Sequence, residues 1–358
     1  MPFDHVPAQL PSRTPCKIAF VAEAPADYEV LDGKPLVGPS GRLFDKLCRM
    51  AGIERHECLV TNVVDVQAPD NKIEKLLVGK KELPTDPKAY TLSPATKGSY
   101  LPVHLLPQLE RLKAEIEACR PNLVVCLGGF ALWAFTGAGG IKNCRGTIQA
   151  ATTLVPGQKI LATYHPAFTF HSPQMFPILA MDFAKASREC GSPTIVYPRR
   201  HIVVEPTIEE VEDFALMYQS RSGWEIGVDI ETIPAAKQIK CIAFAPDSNL
   251  ALVVPFVDSR KKNRSYWLDT ATEVRAWLAV KTLCENSAPK VLQNGLYDFR
   301  YLYDIGIGIR NYRFDTRLEH HAMYPEMPKD LGTMESCYLN DRPWKMWRGA
   351  RDGRKREE

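Results

Sequence analysis

Six side chains stand where this sequence could do chemistry. Asn62 falls near the end of the apolar run CLVTNVV, residues 58–64, where an amide can accept one hydrogen bond while donating another. His165 follows a second apolar run in ATYHPAF, and Glu23 follows a third in KIAFVAEAP. Farther on, GVDIET sets Asp229 and Glu231 two residues apart, a spacing that puts both carboxylates on one face of a strand. QNGLYDFRYL adds Asp298 at the start of a helical pattern, with Asn294 just before it. Grouped carboxylates are the ligands that hard divalent cations take.

The elements that must position these groups are readable from periodicity. Residues 17–22 form a short apolar run, read as a buried strand. Leu43, Leu47 and Met50 recur at helical spacing, which predicts a helix over 40–52 with Ser40 as its cap and Gly52 where it stops. After the strand at 58–64, residues 66–100 lack periodicity and read as loop. A helix over 102–119 carries Leu105, Leu109, Leu112 and Ile116 on one stripe. LVVCLG, a short helix near 130–136 and KILATYHP complete a strand–helix alternation, the pattern of an α/β layer fold with a parallel sheet. At CGSPTIVYPRR the texture changes. HIVVE, WEIGVDIET, IKCIAFA and ALVVPFV follow as closely spaced strands, read as an antiparallel meander, with helices near 270–285, 296–304 and 315–324. The predicted organisation is a first α/β domain over 1–190, a linker over 191–200, a second α/β domain with a mixed sheet over 201–345 and a charged tail over 346–358.

The first half resembles the uracil-DNA glycosylase superfamily in its thermophile-type branch. AEAPADYEVLDGKPLVGPSGRLFDKL matches the family's first motif without a gap, VTNVV its strand-end asparagine motif, LGGFA a structural stretch and ATYHPAF its closing histidine motif. The resemblance covers about residues 17–170 and implies base excision from DNA. An enzyme of this kind takes the base out of the stack and reads its Watson–Crick edge. Asn62 would accept from the uracil ring N–H and donate to its carbonyl, an order cytosine inverts, and His165 would stabilise the pyrimidine anion left when the glycosidic bond breaks. Glu23 is expected at the same site, with Ala24, Pro25 and Leu36 lining the base. Ala22 and Ala26 replace two motif glycines, and Leu36 replaces the aromatic that stacks on uracil. Val66 stands where the branch has a cluster-binding cysteine, so no iron–sulfur cluster is expected.

The second half resembles the DEDD-type 3′–5′ exonucleases of family A DNA polymerases, whose D-x-E and N-x-x-x-D motifs match Asp229, Glu231, Asn294 and Asp298. The resemblance implies a ribonuclease H-like mixed sheet and two Mg²⁺ or Mn²⁺ ions held by Asp229, Glu231 and Asp298, with Asn294 contacting substrate. FDTRLEHHAMYPEMPKDLGTMESCYLND continues the likeness, with Asp315 expected to order a helix start. The family's third motif, a tyrosine or histidine a few residues before a last aspartate, does not follow; the chain runs into RPWKMWRGARDGRKREE.

With 358 residues the chain has room for two cores. A net charge of +3 neither announces nor excludes a polyanion partner. Ten scattered cysteines without a C-x-x-C pair read as reduced thiols of a cytoplasmic protein, and no run is apolar enough to span a bilayer. The expectation is a DNA replication or repair protein, joining a glycosylase-like and a proofreading-exonuclease-like module, with single-stranded DNA and a DNA polymerase domain or subunit as partners. The alternative is a non-catalytic DNA-binding or polymerase-docking protein.

Overall fold

The structure is a computed structural model that describes residues 5–83, 94–95, 98–219 and 224–341; the tail over 346–358 lies outside the described residues. The chain divides into two compact units, Met1–Tyr197 with Gly332–Glu358, and Pro198–Leu331.

In the first unit the chain runs β1 (Ile18–Ala22), α1 (Asp27–Asp32), α2 (Gly38–Met50) and β2 (Leu59–Asn62). A two-strand ribbon, β3 (Val78–Gly79) and β4 (Ser99–Tyr100), precedes α3 (Leu106–Cys119), β5 (Leu123–Leu127), α4 (Gly129–Thr136) and α5 (Ile141–Cys144). Then come β6 (Ile148–Ala150), β7 (Lys159–Thr163), α6 (Phe168–His171) and α7 (Phe176–Glu189). The sheet order is β2-β1-β5-β7-β6, parallel except at the β6 edge. Strands β1, β2, β5 and β7 are buried along their whole length, as strands covered on both faces must be. One face packs on Leu112 and Ile116 of α3 and Phe130, Trp133 and Phe135 of α4. The other packs on Phe44 and Leu47 of α2 and Leu179 and Phe183 of α7. There the Phe20 ring stacks on Phe183 at 5.4 Å and meets the edge of Phe44 at 4.8 Å. The result is the three-layer α/β arrangement expected from the sequence. Helix α2 begins two residues before the predicted Ser40 cap: Val37 is its N-cap and Pro39 lies in its first turn, where a missing N–H costs nothing.

The second unit runs β8 (His201–Val203), α8 (Ile208–Gln219), β9 (Ile226–Ile233), β10 (Gln238–Ala245) and β11 (Leu250–Pro255). It continues through α9 (Thr270–Glu285), β12 (Lys290–Leu292), α10 (Leu296–Asp304), β13 (Tyr312–Asp315) and α11 (Thr316–Met323). The sheet order is β13-β12-β9-β10-β11-β8: β9, β10 and β11 form the antiparallel meander, and β12 and β13 run parallel to β9. This is the mixed sheet the sequence predicts. The HIVVE stretch departs from the expected meander, because β8 lies at the sheet edge parallel to β11. The last helix, α12 (Leu331–Tyr338), also departs from the sequence division at 345: from Gly332 onward it packs in the first unit. Its anchor is a buried polar network described below.

Candidate active site

The carboxyl ends of β2, β1, β5 and β7 lie side by side in the first unit, and each delivers one piece of the site. Asn62 closes β2 opposite Ala22 of β1. The ladder continues past the strands, with Val63 and Val64 donating to the carbonyls of Ala22 and Glu23 at 2.9 and 3.2 Å. Asn62 is 2% exposed, and neither atom of its side-chain amide has a hydrogen-bond partner. An unsatisfied buried polar group costs about 1–3 kcal/mol, so a doubly orphaned amide at a strand end calls for an external partner.

Glu23 follows β1 and is packed on nearly all sides while keeping a solvent-facing edge. Its carboxylate accepts from the Phe130 N–H at 3.4 Å, at the N-terminus of α4. Desolvation outweighs this help and pushes the carboxyl up to about 7. The close approach exists because residue 128 is glycine. With φ at +101°, a Cβ there would stand 2.4 Å from Glu23 Oε1.

His165 follows β7 and is half-buried. Burial drives its pKa down to about 4, so the ring is neutral at physiological pH. The Ala167 N–H donates to its Nδ1 at 3.2 Å, which puts the ring proton on Nε2. A neutral imidazole with Nε2–H is a donor suited to a developing anion. Two phenylalanines stand exposed on α6 beyond it, Phe168 at 39% and Phe170 at 52%.

The turn from Ala24 to Leu36 closes one side. Ala26 has φ −110° and ψ 178°, and Ala22 lies in a strand, so both alanines occupy extended backbone open to any residue despite standing at motif glycines. Glu29, 4% exposed, holds the turn: its carboxylate accepts from the Ala26 N–H at 2.8 Å and the Leu36 N–H at 2.5 Å. Burial holds the Glu29 carboxyl above the usual range, opposed by these donors and by the Asn62 amide beside it, which forms no bond of good geometry. Leu36 takes a left-handed φ of 49°, is 1% exposed and packs in the apolar cluster of Phe44 and Val60. Arg55 supports the turn from behind, donating to the carbonyls of Pro35 and Leu36 at 2.6 and 2.9 Å. Pro25 is buried and Ala24 half-buried. A separate cleft of about 850 Å³ is lined by Gln9, Lys34, Pro35, Asp45 and Arg55, but by none of Glu23, Asn62 or His165.

Sequence reading missed Glu29, Gly128 and Arg111. Glu29 had a local signal, since a glutamate three residues after the cap is half of a capping box. Gly128 lay inside the LGGFA stretch, but its fit against Glu23 was not readable there, and Arg111 had no signal, because their partners lie far along the chain.

In the second unit Asp229 and Glu231 share the exposed face of β9, while Val228 and Ile230 point into the core. Asp298 is 3% exposed and turned onto the main chain, accepting from the Ile230 N–H at 3.0 Å. Burial first, and Asp229 second, push its carboxyl up to about 6. Asn294 sits at a left-handed φ of 62° and accepts from Arg317 at 2.7 Å. Asp315 caps α11, as its sequence position suggests. Among the described residues no group of three or more histidine, cysteine, aspartate or glutamate side chains could hold a metal ion. Asp298 accepts from Ile230 through one carboxylate oxygen, and a carboxylate offers further lone pairs beside that bond.

An α/β unit with its polar groups at the carboxyl ends of a parallel sheet defines the class of this first unit. Residues 11–187 match the uracil DNA glycosylase superfamily, and the chain belongs to that superfamily. Its relatives include the Type-4 uracil-DNA glycosylase of Archaeoglobus fulgidus, 30% identical over 183 residues, 49% of this chain and 77% of the relative. The Type-4 uracil-DNA glycosylases of Saccharolobus solfataricus and Thermotoga maritima are 27% and 29% identical, over 50% and 48% of this chain and 74% and 76% of theirs. Among solved structures, the EXD2 exonuclease domain soaked in Mg aligns with 34% of this chain and 58% of its own, at 18% identity and a TM-score of 0.24.

Proposed function

We propose that the first unit is a uracil-DNA glycosylase, hydrolysing the bond between uracil and deoxyribose in a DNA repair role. The observation that carries this reading is the Asn62 amide, buried at a strand end with both polar atoms unpaired. A flipped uracil satisfies both atoms at once: Oδ1 accepts from the ring N–H and Nδ2 donates to the adjacent carbonyl. His165 Nε2–H donates to the other carbonyl oxygen, where negative charge grows as the glycosidic bond breaks. Glu23, with a pKa of about 7, takes the proton of the attacking water in its ionised form. Phe170, exposed beyond His165, fills the space the base vacates, as apolar wedges between base steps do.

DNA is the partner this reading requires. The proposal does not extend to 3′–5′ exonuclease activity, because among the described residues no group of three or more histidine, cysteine, aspartate or glutamate side chains could hold a metal ion.

A 5′-labelled strand with one internal uracil tests the reading, incubated with Mg²⁺ or with EDTA and then treated with alkali. The expected product is one alkali-dependent band at the uracil, equal in both conditions. An intact strand at every time point contradicts it. A ladder shortening from the 3′ end only with Mg²⁺ would restore the exonuclease.

A further inference from the structure

The end of β2 is held by a side chain that neither the motifs nor the proposed chemistry includes. Helix α3 presents Gln108, Arg111 and Glu115 along one face, separate from the Leu109, Leu112 and Ile116 stripe that enters the core. Arg111 reaches across to β2. Its Nη2 donates to the main-chain carbonyls of Asn62 at 2.7 Å and Val63 at 3.2 Å. Its other donors are occupied too: Nη1 meets Glu115 at 2.5 Å and Thr61 Oγ1 at 3.3 Å, and Nε meets Gln108 at 2.9 Å. Asp65 adds an ion pair at 3.7 Å, and Thr61 donates to the second Glu115 oxygen at 2.7 Å. A planar guanidinium with its fork filled is stiff. It fixes the peptide on which the Asn62 side chain is mounted.

We infer that Arg111 is a positioning residue for base reading: it sets the Asn62 main chain so that the orphaned amide faces the extruded uracil. The inference rests on the glycosylase reading. Angular error at Asn62 is costly, because a misplacement of about 1 Å at a reading group can lower rate by about 10²-fold.

The test compares wild type, Arg111→Met and Arg111→Lys in the full chain. Single-turnover uracil excision is measured beside affinity for the same strand carrying an abasic-site analogue, which offers Asn62 nothing to read. Excision in Arg111→Met is expected to fall by about 10²-fold, with abasic-strand affinity within about twofold. Arg111→Lys, whose ammonium can reach one carbonyl but not serve both, is expected to fall between. Abasic affinity falling in step with excision would mark a merely structural role and overturn the inference, as would excision in Arg111→Met within about threefold of wild type. Should wild type fail to excise uracil, the glycosylase reading falls and the Asn62 side-chain amide resonances decide. They shift in Arg111→Met if the inference holds, and coincide with wild type if it does not. Arg111→Lys carries the same comparison should Arg111→Met not fold.

Discussion

Gly128 and Glu23 form one fitted pair, and their geometry separates two effects at the residue scale. A methyl added at 128 meets the Glu23 carboxylate at 2.4 Å and sits on a backbone conformation that L-residues avoid. Gly128→Ala should lower stability by about 1–3 kcal/mol in urea unfolding and displace Glu23, so excision should fall further than stability. Glu23 itself sets the pH dependence. With its carboxyl near 7, the active base form grows as pH rises through 7, while His165, near 4, stays neutral across that range. The rate profile should show one ascending limb near pH 7 that Glu23→Gln removes; an unchanged limb in that variant would assign it elsewhere. The sign for stability is opposite. The folded state holds the Glu23 proton longer than the unfolded chain does, so this group's contribution declines as pH rises from about 4.5 to about 7. His165 works in the other direction, its contribution declining as pH falls from about 6.5 to about 4. The places of Asn62 at the end of one apolar strand and of His165 just past another were legible in the sequence. Their state was not: an orphaned amide and an Nε2 proton follow from what surrounds them in space.

At the scale of elements, the helix farthest along the chain shows how a local pattern can hide its destination. Leu331–Tyr338 reads as a continuation of the second domain, yet Ser336 and Cys337 are buried in the first unit. Arg145 bonds Asp182 at 2.7 Å, the Thr333 carbonyl at 3.3 Å and the Ser336 hydroxyl. Lys185 donates to the carbonyls of Gly146, Ser336 and Leu339. The second Asp182 oxygen accepts from Thr163, two residues before His165, so the network reaches the strand that carries the histidine. Removing one partner of such a pair strands a buried charge. Arg145→Met should destabilise the first unit by about 3–5 kcal/mol. Hydrogen exchange should show amides of β7 opening faster while those of β9 keep their protection. Uniform protection across β7 would contradict this role for the network. Strands β1, β2, β5 and β7 were readable because buried parallel strands are nearly all apolar. Helices α7 and α8 were not, since their interrupted stripes gain meaning only against the sheet that covers them.

At the scale of the whole molecule, one chain carries two α/β units that arrange their polar side chains differently. The first unites an unpaired amide, a neutral imidazole and a half-titrated carboxyl at the ends of adjacent strands. The second carries a mixed sheet on which Asp298 accepts from the main chain of β9. Excision is therefore expected to be indifferent to chelation. No helix among the described residues is long and apolar enough to cross a membrane. Fold class was legible at this scale from the change of texture after residue 190, because parallel and antiparallel strands bury different faces. The destination of residues 332–341 was not, because it depends on Arg145 and Lys185, more than a hundred residues earlier. The most direct measurement is single-turnover excision of uracil by wild type and by Asn62→Ala, with folding of both checked by circular dichroism. The account predicts a clean alkali-dependent band for wild type and a loss of at least about 10²-fold in the folded variant. Equal excision by the two would remove Asn62 from the site and contradict the account.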